Sequence, residues 1–345
     1  MTSMFLERGL LEEAAVLLAR TAEVWAPVDE PGLDAPSFGR PGEGLPLAIG
    51  PRLPLLPLKT LFLPRVEELF RFAGGAEGPV VVAADVPERE RVVLGALACD
   101  IRSLELLDRV LLAEPADERY RQRRERTTLL ALACTGESPA CFCTSLNIDP
   151  LRPSGADGLL SPTGEGWLVE ALTGKGRDLF ERLEPLLRPA TAAEIEAAGA
   201  LASISRAAVS LDPPPGGWDR VWELATWEET ATRCIACGIC TVLCPTCHCF
   251  DVQDEKRGSG GARFRVWDTC MSQQFTQMAH GMNPRPLHFS RVRQRFLHKL
   301  VYFAERYGAI ACVGCGRCAR RCPNATGIDE IAARLRADLE EDGNA

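Results

Sequence analysis

Two cysteine runs set the tightest limit on what this chain can fold into. The first reads Cys234-Ile235-Ala236-Cys237-Gly238-Ile239-Cys240-Thr241-Val242-Leu243-Cys244-Pro245. The second reads Cys312-Val313-Gly314-Cys315-Gly316-Arg317-Cys318-Ala319-Arg320-Arg321-Cys322-Pro323. Both follow C-x2-C-x2-C-x3-C-P, a spacing that holds pairs of 4Fe–4S clusters with exchanged fourth ligands. Two-residue gaps let a short turning loop bring three thiolates round one cube, while the fourth points away to the other. The spacing therefore predicts cluster A on Cys234, Cys237, Cys240 and Cys322, and cluster B on Cys312, Cys315, Cys318 and Cys244. Gly238 and Gly316 leave room for backbone near the inorganic sulfides, and Pro245 and Pro323 turn the chain away after the last ligand. A lone C-x2-C pair would suit zinc or a redox dithiol equally well. Zinc ribbons, however, have no need of a third cysteine two residues further on.

Composition narrows the setting. Fifteen cysteines in 345 residues, clustered at these spacings, point to metal ligation and not to the disulfide framework of a small secreted domain. A net charge of −8 argues against nucleic acid or an anionic membrane as the main partner. The first residues lack a basic segment followed by an apolar one, and no apolar run approaches a membrane span. A soluble, cytoplasmic protein is expected, working under reducing, anaerobic conditions.

Along the chain, residues 4–24 read as an amphipathic helix and residues 27–58 as an irregular Pro/Gly-rich connection. Leu61-Phe62-Leu63-Pro64 leads into an expected short helix through Glu67, Glu68, Leu69 and Phe70. Val80-Val81-Val82, Arg91–Leu97 and Thr128–Ala133 are strand-like, with a helix capped by Asp100 between the last two, which suggests a βαβ unit and a parallel sheet. A further strand near Trp167 and two helices follow. Asp212-Pro213-Pro214-Pro215-Gly216-Gly217 marks the expected boundary. The reading is an α/β N-terminal domain (1–211) followed by an all-helical ferredoxin domain (217–345), with helices over 218–233, 290–307 and 328–340.

Seven cysteines lie outside the two runs. Cys99 and Cys134 follow predicted strands, and Cys141 and Cys143 sit in the next loop. If the strands are parallel, these four thiols gather at one sheet edge, enough for a third iron–sulfur cluster. The alternative is small buried apolar residues, to which the C-x-C pair in a polar loop is ill suited. Cys247, Cys249 and Cys270 either shield cluster B, the favoured reading, or hold another metal with His248. The basic run Arg291–Lys299 is either a solvated helix face or a source of cations for the clusters or an acidic partner. No dinucleotide fingerprint, P-loop or nucleophile elbow is visible. The chain shows equipment for carrying electrons and no site for substrate chemistry.

Several stretches resemble one family, the 4Fe–4S dicluster subunits of soluble redox complexes. They are Cys244–Asp254, Val266–Met271, Asn283–Pro286 and Cys312–Cys318, with Ala98–Arg102, Leu106–Val110 and Cys141–Ser145 upstream. The family includes the beta subunit of soluble NiFe hydrogenases (sulfhydrogenases) and an iron–sulfur subunit of anaerobic sulfite reductase, and the resemblance runs from about residue 58 onward. It implies a non-catalytic relay between a flavin-bearing NAD(P)H subunit and a catalytic redox subunit such as a NiFe hydrogenase. The alternative within the same class is the electron-input subunit of an anaerobic sulfite reductase or a heterodisulfide-reductase-like complex. A different class, structural clusters bracing an interaction surface, is disfavoured by the acidic charge and the exchanged ligands.

Overall fold

The computed structural model describes residues 3–42, 44–75, 78–84, 89–136, 138–202, 208–214 and 217–343. Its strands, in chain order, are β1 (Met4–Glu7), β2 (Glu23–Val28), β3 (Ser37–Gly39), β4 (Val66–Gly75), β5 (Gly78–Ala83) and β6 (Arg91–Ala96). They continue as β7 (Thr127–Leu132), β8 (Gly158–Pro162), β9 (Gly166–Ala171), β10 (Leu187–Pro189), β11 (Phe250–Arg257) and β12 (Gly260–Trp267). The chain divides into two compact units. The first comprises Met1–Phe62, Val86–Ala207 and Val313–Cys315; the second comprises Leu63–Asp85, Ala208–Cys312 and Gly316–Ala345.

The first unit is built on one mixed sheet in the order β10-β1-β9-β8-β7-β6-β2-β3. Its centre is parallel (β2 with β6, β6 with β7, β7 with β8) and its flanks are antiparallel. Parallel strands need a crossover, and helices Ala98–Leu111 and Glu118–Glu125 supply the one between β6 and β7. Their apolar sides bury Ile101, Leu104, Leu107 and Tyr120 against Val93, Ala96, Leu129 and Ala131. Asp100 is not the helix cap: Leu97 holds that position, and the buried Asp100 carboxylate accepts the Leu58 N–H at 3.3 Å.

The N-terminus corrects the reading of one long helix over 4–24. Phe5 and Leu6 are buried in β1, which pairs with both β9 and β10, and the helix is confined to Leu11–Ala19. Sheet pairing with strands more than 150 residues away overrides a helical period that is locally plausible.

The second unit corrects the all-helical expectation. Its strands form an antiparallel sheet in the order β11-β12-β4-β5, and β4 lies where a short helix was expected through Glu67, Glu68, Leu69 and Phe70. Val80-Val81-Val82 is indeed a strand, but it lies in this sheet and not in the parallel one. Glu67 on β4 stands opposite Arg265 on β12 and accepts from its Nε at 3.0 Å, with both side chains buried. Because Leu63–Asp85 joins this unit, no single cut at 212–217 separates the two; Pro215 and Gly216 lie outside the described residues. The helical part contains Thr226–Arg233, His288–Leu297 leading through a π-helical turn at His298–Tyr302 into Phe303–Tyr307, and Ile328–Gly343. Residues 218–233 are not one helix: a short 3-10 turn (Trp218–Val221) precedes Thr226–Arg233. Trp227 packs on Phe296 with ring centroids 6.1 Å apart. No helix among the described residues is long and apolar enough to cross a membrane.

Candidate metal centre

Both cysteine runs adopt the same backbone. Helix Thr226–Arg233 stops at Cys234, whose N–H donates to Thr230 O at 3.0 Å. The chain then passes through two left-handed residues, Ala236 (φ 54°) and Gly238 (φ 73°), and enters a short helix at Ile239–Val242. The second run repeats this with Gly314 (φ 61°) and Gly316 (φ 70°) ahead of Arg317–Arg321. Left-handed residues two apart curl a loop tightly enough to turn successive cysteines toward one centre, and backbone N–H groups turn inward with them. The fourth cysteines, Cys244 and Cys322, leave from the ends of the outgoing helices.

Several sulfurs already accept hydrogen bonds. Ala236 N–H donates to Cys234 Sγ at 3.4 Å and Thr326 N–H to Cys322 Sγ at 3.4 Å. Hydroxyls lie 3.0 Å from Cys322 Sγ (Thr326) and 3.2 Å from Cys244 Sγ (Thr246). Burial alone would raise the Cys322 thiol; the Thr326 hydroxyl and backbone N–H groups outweigh it and hold the thiol below its ordinary value. At Cys240 burial dominates and pushes the thiol up. The sites thus present sulfurs prepared to carry negative charge and others that need a metal to become thiolates.

The helix beginning at His288 answers the question left open by the basic run. Arg291, Arg295 and Lys299 fall at four-residue spacing on one face and are buried, whereas Arg293 lies over the Trp222 ring at 3.7 Å. Arg291 is structural, donating to the carbonyls of Met271, Arg285 and Pro286. Lys299 Nζ donates to Cys244 Sγ (3.1 Å), Thr246 Oγ1 (3.0 Å) and Ala311 O (3.2 Å). Burial would lower the Lys299 and Arg295 pKa values. The cysteine sulfurs reverse that, chiefly Cys244 and Cys247 for Lys299, and Cys240 and Cys318 for Arg295, so both stay cationic. Arg295 Nε is buried with no hydrogen-bond acceptor among the described residues. A donor so placed, amid cysteines of both runs, fits a bound sulfide.

Cys247, Cys249 and Cys270 gather near the same place. A hydrogen bond with Cys244 and then burial push the Cys247 thiol up; a hydrogen bond with Cys249 and then burial do the same at Cys270. His248 Nδ1 lies 3.1 Å from Thr246 O, and its ring meets His298 edge-on at 5.8 Å. Among the described residues no three His, Cys, Asp or Glu side chains converge to hold a single metal ion. In a cube each thiolate meets its own iron, so cluster ligands need not share one point.

In the first unit Cys99 opens the helix after β6, Cys134 follows β7, and Cys141 and Cys143 flank the buried Phe142. The structure brings all four to one cavity, which Cys315 also lines. Sequence reasoning missed Thr246, Thr326 and the specific roles of Arg295 and Lys299. The four-residue spacing of the cations was the available signal; nothing local marks the threonines.

Residues 233–326 match the family described as a 4Fe–4S dicluster domain. The chain is 32% identical over 237 residues to the sulfhydrogenase 2 beta subunit of Pyrococcus furiosus, a match covering 67% of this chain and 70% of that one. No solved structure matches. With two full cysteine runs, buried cations beside their sulfurs and this relationship, the chain is a carrier of two 4Fe–4S clusters and belongs to the family of iron–sulfur electron-transfer subunits that includes the sulfhydrogenase beta subunits.

Proposed function

We propose that this chain is the relay of a cytoplasmic multi-subunit oxidoreductase. Cluster A is held by Cys234, Cys237, Cys240 and Cys322, and cluster B by Cys312, Cys315, Cys318 and Cys244. Single electrons pass through them between a flavin-bearing, NAD(P)H-oxidising subunit and a catalytic subunit of the NiFe-hydrogenase type. The chain's own residues set the terms of that transfer: cysteine loops fix the cubes, Lys299 and Arg295 neutralise charge, and Thr246 and Thr326 tune the sulfurs. Cys247, Cys249 and Cys270 screen cluster B from water.

The observation that carries this reading is the burial of Lys299 and Arg295 among cysteines of both runs. Two cations removed from water are costly unless they face anions. A cube bearing four thiolates is an anion in either oxidation state, and one more electron strengthens the attraction. Purely structural zinc, which has a single oxidation state, would give these cations nothing that changes with redox state. The test is anaerobic purification of the complete chain with its co-eluting subunits, followed by EPR-monitored redox titration. Reversible one-electron reduction of two interacting 4Fe–4S clusters, with reoxidation by the co-purified catalytic subunit, is expected. Clusters that cannot be reduced reversibly would end the relay reading.

A further inference from the structure

We infer a third iron–sulfur cluster, held by Cys99, Cys134, Cys141 and Cys143 in the first unit and separate from the two that the cysteine runs hold. This rests on reading the chain as an iron–sulfur protein, and its ligands lie outside residues 233–326, where the dicluster description matches.

Topology supplies the convergence. β6 and β7 are adjacent and parallel, so the segments leaving their carboxyl ends emerge on one edge of the sheet, where open α/β sheets bind ligands. Cys99 leaves β6 and Cys134 leaves β7. Cys134 N–H donates to Pro150 O at 2.8 Å, which ties that exit to the far end of the next loop. Between these two points the chain carries Cys141 and Cys143. All four line a single cavity.

The loop with the C-x-C pair is held in place by close packing. Phe142 N–H donates to Gly314 O at 2.8 Å, and Cys141 Sγ lies 3.7 Å from Cys315 O. A Cβ on Gly314 would fall 2.5 Å from Cys143 N and 2.6 Å from Phe142 C. The glycine, itself at φ 61°, therefore permits an approach that no other residue allows. Such an approach sets Cys141 and Cys143 against the segment carrying Cys315.

The chemistry of the wall fits a cluster better than a substrate. Apart from cysteines the cavity is lined by Pro51, Leu53, Leu97, Ala98, Pro150 and Gly314. None offers a polar side chain to orient an organic molecule. Four thiols in an apolar recess are a soft donor set, suited to iron–sulfur ligation. Packing alone would not require four cysteines from three separate segments to line one cavity.

The test is iron, zinc and acid-labile sulfide per chain in anaerobically prepared full-length protein, compared with Cys141→Ser/Cys143→Ser. Three cubes give about twelve irons and the double variant about eight, with one EPR signal of the reduced protein lost and two retained. The two surviving signals show that the variant is folded, and Cys134→Ser must repeat the loss. About eight irons in both proteins overturns the third cluster and leaves the pair intact. Zinc that disappears with the cysteines, or an iron content unaffected by their loss, overturns it as well. A chain without iron in any form removes the relay reading together with it.

Discussion

Lys299 Nζ stands 3.1 Å from Cys244 Sγ in a site closed to solvent, a buried ammonium donating directly to a cysteine of the first run. Its other two donors are taken by Thr246 Oγ1 and Ala311 O, so the ammonium is fixed rather than mobile. A donor to a cluster thiolate stabilises the reduced, more negative state more than the oxidised one. Lys299→Met should therefore lower the potential of the cluster bound by Cys244. About 1.5 kcal/mol for a charge-assisted hydrogen bond corresponds to roughly 60 mV for one electron. Redox titration of the variant gives the answer; an unmoved potential would mean the lysine only fills space.

Arg295 leads to a different outcome. The sulfurs that act on it most are Cys240 and Cys318, one from each run, and its Nε has no acceptor among the described residues. Arg295→Met should shift both cluster potentials downward together, by tens of millivolts each, while Arg295→Lys keeps the charge and restores part of the loss. A shift confined to one cluster would contradict the shared position.

How much of this was legible in the sequence follows from the range of the interactions. Cysteine spacing is local, so the two runs and their repeated loops could be read directly. The alternation of β6, helix and β7 is likewise local, and it placed Cys99 and Cys134 at strand exits. The fate of residues 66–75 was not local: β4 is a strand because β12 lies alongside it, with Glu67 facing Arg265 across a separation no period reveals. The same holds for β1, whose Phe5 and Leu6 fit a helix face equally well until β9 and β10 claim them. The stripe Arg291, Arg295, Lys299 was visible as a spacing, but whether it faced water or sulfur depended on packing.

Equivalent positions in the two runs should respond oppositely to substitution. Ala236 holds φ 54° with a Cβ, a conformation that costs an L-residue about 1 kcal/mol. Ala236→Gly should leave iron content unchanged and raise the melting temperature slightly. Gly314→Ala, at φ 61° and with Cys143 N 2.5 Å from the added carbon, must displace the loop and should lose iron. Iron content and thermal melting of the two variants decide the matter.

The Glu67–Arg265 pair anchors the sheet of the second unit, with side chains 4% and 6% exposed. Glu67→Ala leaves a buried guanidinium without its main anion and should destabilise the chain by about 3–5 kcal/mol. Glu67→Leu combined with Arg265→Leu removes both charges and should recover most of that loss. Denaturation of the two variants under anaerobic conditions compares them; a double variant as unstable as the single one would show that the pair contributes more than mutual neutralisation.

The inferred third cluster should have the lowest potential of the three. The cavity of Cys99, Cys134, Cys141 and Cys143 has no lysine or arginine among its lining residues, whereas the cysteines of the two runs face Lys299 and Arg295. Adding an electron to a cluster in an apolar recess increases a negative charge that no cationic side chain of that lining offsets, so reduction is disfavoured. With a lining of that composition, the difference should be at least several tens of millivolts, since about 1.5 kcal/mol is roughly 60 mV for one electron. In a stepwise titration of the full chain, the EPR signal that appears last is expected to be the one missing from Cys141→Ser/Cys143→Ser. Should the missing signal instead be the first to appear, the potential would be governed by solvent access or backbone dipoles at the cavity mouth, and the argument from its cation-free lining would fail.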